Sequence, residues 1–431
     1  MDRRRFVRGA ATIAGAAATG VLTSTAEARG QQGTPTPPPA LPESIARLRP
    51  MGPPVVPISD EERLARIEKA RRLMVDNDIA AMFLEPGSSM FYYTGARWGL
   101  SERPFGVVIP ARGELAYITP GFEEERAREL IKFSNDVRVW QEDESPYRLV
   151  ANILRDRGIA TGRVAFDERL RFFIADGIRA EAPQLQFVSA TPVTAGCRMF
   201  KSKAEIALMQ RANDITIAAY RAAFPTMHVG MAQGELSRTI AAAIQRLGGT
   251  SDGALVLFGV SSAFPHGTTK PATLKEGDMV LVDGGCTVEG YASDITRTTV
   301  FGKPSQRQRD VWDLEKRAQT AAFNAAQIGA TCESVDAAAR KVITDAGFGP
   351  DYRVPGLPHR TGHGIGLDGH EWTNFVRGNK TLIQPGMCFS DEPTIVIYGE
   401  FGCRLEDCLY IGDDGPHFFT EQSPAIDRPF P

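Results

Sequence analysis

The sequence predicts two successive domains that mix helices and strands: a smaller α/β domain over residues 58–195 and a larger α+β domain over residues 201–420. In the first stretch, short apolar runs alternate with amphipathic segments, as they do in α/β folds. In the second stretch, pairs of strand-like runs are separated by pairs of long helical patterns, which favours a curved antiparallel sheet covered by helices. The composition, 42% hydrophobic and 23% charged, is that of ordinary globular proteins. A net charge of −3 argues against a nucleic-acid partner.

Residues 1–28 are typical of a twin-arginine export signal. Arg3 and Arg4 precede the Ala/Gly-rich stretch Ala10–Leu22, and the tripeptide AEA that follows offers a cleavage site of small residues. The apolar stretch is too short for a membrane anchor. We therefore expect an exported protein, periplasmic or secreted, with no stable membrane insertion once the signal is removed. The Pro-rich residues 29–57 are expected to form an extended linker.

The first domain shows signals for packing and none for catalysis. Ser59 and Glu62 have the spacing of a helix capping box. Helices are predicted over residues 123–131 and 147–157, between six apolar, strand-like runs. Because no group of titratable residues here has the spacing of a catalytic site, we expect this domain to serve packing or oligomerisation and to shape a site formed by the second domain.

A predicted hairpin in the second domain brings two aspartates face to face. The run DGGCTVEGYASDITRT covers residues 283–298 and divides into two strands around a turn at Val288–Glu289, with Gly290 after it. This register places Asp283 directly opposite Asp294. Their Cβ atoms would lie about 4.5–5.5 Å apart, and like charges so placed are destabilising.

A second hairpin repeats this arrangement. In EPTIVIYGEFGCRLED, residues 392–407, a turn centred on Gly399 sets Glu392 opposite Glu406. The four acids could be exposed on their strands, or they could be protonated with strongly raised pKa values. Burying them in ionised form without compensation would be strongly unfavourable. The simplest compensation is a pair of divalent metal ions, whose four positive charges balance four carboxylates.

A glycine-rich run, residues 358–371, carries His359, His363 and His370 in the sequence PHRTGHGIGLDGHE. The first two histidines are four residues apart, which on a helix would suggest a zinc pair, but the intervening glycines disfavour a helix. The run also contains G-x-G-x-x-G. No strand precedes that motif and no helix follows it, so a dinucleotide site is disfavoured. A histidine ligand beside the acids is the better interpretation.

The order and context of these residues resemble the pita-bread metallopeptidases, the family of methionine aminopeptidase, proline dipeptidase (prolidase) and Xaa-Pro aminopeptidase. The family's ligands occur as Asp, Asp, His, Glu and Glu, and the matching residues are Asp283, Asp294, His363, Glu392 and Glu406. The motifs GDMVLVDGG, GYASDITRT, GHGIGLDGHE and the DEP and CRLED segments carry the match over residues 201–412. The preceding α/β domain resembles the creatinase-like domain of the proline-specific branch.

The resemblance implies a metallo-exopeptidase with two metal ions, acting on an Xaa-Pro peptide or dipeptide. Asp283 would chelate one ion, Asp294 and Glu406 would bridge both, and His363 and Glu392 would hold the second. Manganese is the expected metal, with cobalt or zinc as alternatives. A hydroxide that bridges the ions would attack the scissile carbonyl, and Glu392 would act as the general base.

Four further residues match positions of the family. His266, in FPHGTT, would contact the substrate and take part in catalysis, and His370 would stabilise the tetrahedral intermediate. His359 would line the substrate pocket. Arg404, on the same strand face as Glu406, would contact the substrate or the metal carboxylates. The proline-specific branch is usually dimeric or tetrameric, so a homodimer or homotetramer is expected.

Two departures from the family pattern leave the substrate open. Thr394 and Val396 stand where the family usually has Gly and often has Tyr, so strict proline specificity does not follow. Asp391 replaces an apolar residue, and strand alternation should turn its side chain away from the ligands. The alternatives are a metal-dependent amidohydrolase acting on a non-proline small molecule and a metal-free binding module, although the complete ligand set argues against the latter. The sequence does not separate dipeptidase from aminopeptidase.

Overall fold

The first domain is built on one mixed sheet of six strands. The computed structural model describes residues 41–431. Up to residue 198 the elements are α1 (Glu43–Ala46), α2 (Asp60–Asp76), β1 (Ile79–Leu84), α3 (Ser88–Thr94), β2 (Gly106–Pro110), β3 (Ala116–Pro120), α4 (Glu124–Leu130), β4 (Val137–Trp140), α5 (Pro146–Asp156), β5 (Gly162–Phe166), α6 (Phe172–Glu181), β6 (Leu185–Ser189) and α7 (Thr191–Arg198). The strand order is β4-β3-β2-β1-β5-β6, and the predicted α/β class of this domain is confirmed.

Both faces of this sheet are buried. Along β1, Ala81 and Phe83 belong to one apolar cluster and Met82 and Leu84 to another. Since successive side chains of a strand point to opposite faces, the two clusters lie on the two sides of the sheet. Near-continuous apolar strands are typical of sheets covered on both faces, which explains why the strand-like runs of this region lack polar alternation.

The second domain pairs helices with antiparallel strands. Its elements are α8 (Lys203–Ala223), α9 (Gln233–Leu247), β7 (Leu255–Phe258), β8 (Met279–Gly284), β9 (Thr287–Val288), β10 (Tyr291–Ala292), β11 (Ile295–Val300), α10 (Gln306–Ala325), α11 (Cys332–Asp345), β12 (Gly362–Gly364), β13 (Glu371–Phe375), β14 (Cys388–Asp391), β15 (Thr394–Ile397), β16 (Phe401–Arg404), β17 (Asp407–Gly412) and β18 (Gly415–Phe418). The larger sheets are β11-β8-β7 and β13-β12-β14-β17-β18. This arrangement confirms the predicted α+β, pita-bread class.

Each helix pair covers its own strands. Helices α8 and α9 share a buried cluster with Phe258, Val280 and Val282, whereas α10 and α11 share another with Phe389 and Leu409. Reciprocal capping boxes begin α8 and α10, which satisfies backbone N–H groups at the first turn. The strands covered by α8 and α9 carry Asp283 and Asp294, and the strands covered by α10 and α11 carry Glu392 and Glu406.

The predicted linker packs against the second domain over part of the length that the structure describes. Helix α1 begins directly after Pro42, and Ile45 is fully buried against α8 and α9. Leu48 and Met51 continue this apolar face, and the Met51 N–H donates to the Leu247 carbonyl at 3.0 Å. Because Ile45, Leu48 and Met51 are spaced three residues apart, their side chains share one apolar face, and this segment packs despite its high proline content. Within residues 41–431, no helix combines the length and the apolar character that a bilayer span requires.

Candidate metal centre

The first hairpin brings Asp283 and Asp294 to one face, but with a register that differs from the prediction. The turn residues are Glu289 and Gly290, with φ of 52° and 89°, as the tight type I′ turn requires. Asp283 consequently pairs with Thr296, so the predicted direct pairing of the two aspartates is wrong by two residues. Because side chains alternate with period two, such a shift leaves both aspartates on the same face.

The second hairpin has the predicted register. Strands β15 and β16 pair Thr394 with Arg404, and β14 and β17 continue in the same register. Glu392 and Glu406 occupy the break between these two ladders and face each other, with ligand oxygens within 4.8 Å of a common histidine nitrogen. The glycine-centred turn was therefore sufficient to fix this pairing.

Thr296 joins the two hairpins. The Glu406 N–H donates to the Thr296 carbonyl at 3.2 Å. The Thr296 hydroxyl lies 2.9 Å from Asp283 Oδ1 and 2.7 Å from Glu406 Oε2, and Arg404 Nε donates to it at 3.1 Å. One hydroxyl therefore lies within hydrogen-bond distance of an acid from each hairpin. The sequence analysis missed Thr296, although alternation from Asp294 would have placed it on the same face.

The acids open into a cavity of about 430 Å³, a size within the range of small-molecule sites. The cavity brings together all nine residues predicted from the sequence. It also includes Arg360, which the sequence analysis missed because the surrounding loop has no periodicity that fixes a side-chain direction. The ten lining residues are His266, Asp283, Asp294, His359, Arg360, His363, His370, Glu392, Arg404 and Glu406.

Three overlapping sets of side chains could each hold a metal ion, with ligand atoms within 4.8 Å of one another. They are Asp283 with Asp294 and Glu406, His363 with Glu392 and Glu406, and Asp294 with His363 and His370. The first two sets share Glu406, whose Oε1 is buried without a hydrogen-bond partner among residues 41–431. A free oxygen between two donor sets is what a ligand shared by two ions requires, so the residues present fit a pair of divalent cations.

Without a cation, burial makes these acids hard to ionise. Burial, followed by repulsion from Asp283, raises the pKa of Asp294 well above its ordinary value. Burial, followed by repulsion from Asp294, does the same to the pKa of Glu406. Burial also raises the pKa of Glu392 to about 7. The Arg404 guanidinium donates to Asp283, but one guanidinium cannot neutralise four carboxylates.

His363 supplies a neutral nitrogen rather than a positive charge. Burial and the neighbouring His370 lower the pKa of His363 to about 3. Its Nδ1 lies 3.1 Å from the Gly364 carbonyl oxygen and therefore carries the proton. Nε2 then presents its lone pair to Glu392 Oε1 at 3.3 Å and to Asp294 Oδ2 at 3.8 Å. These contacts are not ion pairs, and a cation placed among them would convert repulsion into coordination.

The His370 ring packs against His363 in a tilted arrangement, with ring centroids 3.9 Å apart and an interplanar angle of 53°. Burial and the charge of Arg360 lower the pKa of His370, and its Nδ1 lies 3.3 Å from Arg360 Nη2. Nδ1 thus accepts from the guanidinium, and Nε2 carries the ring proton. This tautomer gives His370 an N–H donor. His266 is exposed on the loop that precedes β8, at the wall of the same cavity.

His359 is held by the residue that departs from the family pattern. Its Nε2 lies 3.1 Å from the Thr394 hydroxyl oxygen, and its Nδ1 lies 2.7 Å from the Arg360 carbonyl oxygen. Burial, followed by Arg404, lowers the pKa of His359 to about 4, so the ring is neutral and Thr394 donates to it. Both ring nitrogens are therefore engaged with the protein, while the ring itself lines the cavity. Val396 is fully buried and contributes no side chain to the cavity wall.

Arg404 is buried, and its donors face the protein. Besides Asp283 and Thr296, its Nη1 lies 3.4 Å from the Pro265 carbonyl, next to His266. The guanidinium therefore fixes a predicted ligand and the loop that carries a predicted catalytic histidine. A contact between Arg404 and substrate stays a prediction.

Comparison with known proteins gives two domain matches. Residues 66–200 match the Creatinase/Prolidase N-terminal domain, and residues 207–413 match Metallopeptidase family M24. The first range covers the six-stranded sheet, and the second covers every strand and helix that lines the cavity.

Individual relatives match across both domains. An uncharacterized peptidase of Schizosaccharomyces pombe is 36% identical over 391 residues, covering 86% of this chain and 84% of the relative. The Xaa-Pro dipeptidase of Lactobacillus helveticus is 30% identical over 359 residues, covering 82% and 96%. The crystal structure of recombinant prolidase from Thermococcus sibiricus has a TM-score of 0.77 at 28% identity and covers 85% of this chain and 98% of its own.

The same comparison corrects the expectation for the amino terminus. The match takes in 96% of the Lactobacillus helveticus relative but 82% of this chain, so a leader segment is not something that the two share. The prediction of a periplasmic or secreted protein is therefore wrong. Residues 1–28 and the first part of the linker lie outside the described residues.

Proposed function

Since the chain belongs to metallopeptidase family M24, in its proline-specific pita-bread branch, we propose that it is a dipeptidase that cleaves Xaa-Pro dipeptides with two divalent metal ions. The observation that supports this most strongly is the pair of donor sets that share Glu406, whose Oε1 is otherwise unpartnered in residues 41–431. Four carboxylates and one imidazole form an oxygen-rich set, which suits manganese, with cobalt or zinc as alternatives.

In this proposal Asp283, Asp294, His363, Glu392 and Glu406 hold the ions. When bound, such a pair of ions lowers the pKa of water and polarises a peptide carbonyl. Glu392 takes up a proton at its carboxylate and returns it to the leaving nitrogen. His370 donates its Nε2–H to the carbonyl oxygen as negative charge develops there. His266 contacts the substrate from the facing loop, and His359 forms part of the pocket wall.

Arg360 supports a dipeptidase rather than an aminopeptidase. Its guanidinium reaches His370 Nδ1 at 3.3 Å, and no carboxylate of residues 41–431 lies within 4.0 Å of it. The guanidinium is thus available for an anion from the substrate. In a dipeptide, the terminal carboxylate follows the scissile bond by one residue, whereas a longer peptide has a neutral amide at that place. We propose that Arg360 binds this carboxylate.

The test compares an Ala-Pro dipeptide, an Ala-Pro-Ala tripeptide and a non-proline dipeptide on protein loaded with Mn²⁺ and on chelated protein. We expect metal-dependent hydrolysis of Ala-Pro and at least about tenfold weaker hydrolysis of the tripeptide, because one charge-assisted hydrogen bond contributes roughly 1.5–3 kcal/mol. Equal cleavage of the tripeptide would indicate an aminopeptidase. Hydrolysis of neither proline peptide by the metal-loaded protein would favour the amidohydrolase alternative, whereas preference for the non-proline dipeptide would indicate a dipeptidase without proline specificity.

A pair of arginine variants isolates the carboxylate contact. Arg360→Met should raise KM for Ala-Pro by about 10- to 100-fold, again from one charge-assisted bond. Arg353→Met, in the same loop but exposed and outside the cavity, is the matched control and should leave KM unchanged. If both variants behave alike, Arg360 does not bind the substrate.

A further inference from the structure

The loop that carries His370 is fixed by two arginines of the first domain and by Lys201, at the start of the second domain. Its two acids, Asp368 and Glu371, bond to Arg169, Arg198 and Lys201, and we call these five side chains the anchor network. Arg198 Nη2 donates to Asp368 Oδ2 at 2.6 Å and also to Glu371 Oε1. Lys201 Nζ donates to Glu371 Oε2 at 3.2 Å, and Arg169 Nη1 donates to Asp368 Oδ1 at 2.8 Å. His370 is flanked in the chain by these two anchored acids.

The anchor network is buried and closely packed. The side chains of Arg198, Lys201 and Glu371 are 3%, 1% and 1% exposed, so water screens these ion pairs little. The Glu371 carboxylate also accepts from the Asp368 N–H at 3.0 Å, which closes the loop on itself. Beside it, a Cβ on Gly366 would lie 2.8 Å from both Glu371 Oε2 and Lys201 Cε. The loop therefore has little room for another conformation.

Helix α3 completes the attachment from the same side. The Ser88 hydroxyl donates to Asp368 Oδ1 at 2.6 Å, and Arg198 Nη1 donates to the Ser89 hydroxyl at 3.0 Å. Arg198 is the last residue of α7, so one guanidinium connects two helices of the first domain to the loop. From the sequence we expect the first domain to serve packing and to shape a site formed by the second domain. These contacts show that the first domain reaches the loop that carries His370.

We infer that Arg198 and Asp368 are positioning residues, through which the first domain sets the place of the His370 imidazole in the reaction. This inference rests on the role proposed for His370. An exposed histidine on a glycine-containing loop would otherwise sample several positions, and displacements of about 1 Å can cost up to about 100-fold in rate. In residues 41–431 the side chains of the anchor network form no hydrogen bond or ion pair with the five proposed metal ligands, so their loss should lower kcat without releasing metal.

The experiment is a double-mutant cycle on the full, metal-loaded chain with Ala-Pro as substrate. Arg198→Met and Asp368→Asn should each lower kcat by about 10- to 100-fold, with KM within twofold and metal content unchanged. In a His370→Ala background, the same changes should lower kcat by less than a further twofold. Arg171→Met is the control, because Arg171 pairs with Glu85 at 3.0 Å in the same domain and does not contact the loop; it should keep wild-type kcat.

The outcomes separate this inference from the proposed function. If the losses multiply with that of His370→Ala, the anchor network does not act through His370, and the inference is overturned while the dipeptidase assignment stands. If His370→Ala itself keeps wild-type kcat, the proposed role of His370 falls and the inference falls with it. If Arg198→Met does not fold, Asp368→Asn still tests the inference. Asp368 is partly exposed and Asn has the same size, so this variant should fold while it loses the ion pair.

Discussion

Two groups of buried acids in this protein are compensated in opposite ways. Asp368 and Glu371 each have protein cations within hydrogen-bond distance. Burial raises the pKa of Glu371, but Lys201 and Arg198 outweigh this effect and bring it below its ordinary value. Among residues 41–431, the carboxylates of Asp294 and Glu406 have no lysine or arginine within hydrogen-bond distance, and their pKa values are raised well above the ordinary range. The acids of the anchor network receive their counter-charges from the chain, whereas Asp294 and Glu406 do not, and we propose that metal ions supply them.

The largest effect is expected from removing the shared carboxylate. Glu406→Gln keeps the size of the side chain but removes the charge between the two donor sets. Activity on Ala-Pro should fall by more than about 100-fold, beyond the loss typical of residues that only support a ligand. Metal content measured by plasma emission should also fall. The metal-free variant should be at least as stable as the metal-free parent, because the change removes a buried acid with a raised pKa.

The opposite result would break the contrast between the two groups. If Glu406→Gln kept near-normal activity, the shared-ligand assignment would be wrong. Glu371→Gln is the matched control, since it removes one charge from the compensated group. It should destabilise the protein by roughly 3–5 kcal/mol because the buried Lys201 loses its carboxylate partner, an effect that thermal unfolding measures directly.

The second prediction concerns pH. In the metal-free protein, the pKa of Glu392 is about 7 and thus above its ordinary value of 4.5. The folded state therefore binds protons more tightly than the unfolded state, and this contribution to stability is complete below pH 4.5 and is lost as pH rises through 7. Metal binding requires deprotonated ligands and strengthens over the same interval.

The measurement is thermal unfolding of chelated and Mn²⁺-loaded protein from pH 5 to pH 8. Tm of the chelated form should fall as pH rises, so that the difference between the two forms widens. If the two Tm curves run parallel across this interval, burial does not raise the pKa values of the cavity acids. The electrostatic reason for metal binding would then be removed.

The smallest effect is expected at Asp391, an acid that belongs neither to the anchor network nor to the cavity. Asp391 lies on the sheet face opposite the ligands, fully buried, and neither of its oxygens has a hydrogen-bond partner among the described residues. Burial, followed by repulsion from Asp407, raises its pKa well above the ordinary value. Asp391→Val should therefore stabilise the protein by about 1–3 kcal/mol, the cost of an unsatisfied buried polar group, and should leave kcat unchanged.

Asp407→Val is the control for this change, because the two aspartates are cross-strand partners. The Asp407 carboxylate accepts from Arg297, Gln319 and Thr420 at 2.6–2.9 Å, so its loss should destabilise the protein. Chemical denaturation compares the two variants. A less stable Asp391→Val protein would mean that this carboxylate has a partner, such as an internal water or ion.

Motif spacing and strand periodicity were enough to place the acids. The five proposed ligands were identified in order from their motifs, and the cavity contains all five. The register of the first hairpin was predicted two residues off, since a turn at Glu289–Gly290 requires two positive φ values that the sequence only partly indicates. The error did not disperse the site, because a shift by an even number of residues preserves the face of a strand.

Periods and turn chemistry are local properties, and the sequence by itself determined what depends on them: the two-domain α/β and α+β architecture, the second hairpin, and which side chains share a face. Tertiary structure alone decided the contacts between distant segments. The Thr296 hydroxyl meets Glu406 across 110 residues, and Arg198 meets Glu371 across 173. Such contacts arise from the packing of whole elements, and no periodicity in the intervening chain encodes them. The contact of the Arg360 guanidinium with His370 also depends on tertiary structure, because the direction of that side chain is set by a loop whose neighbours come from elsewhere in the fold.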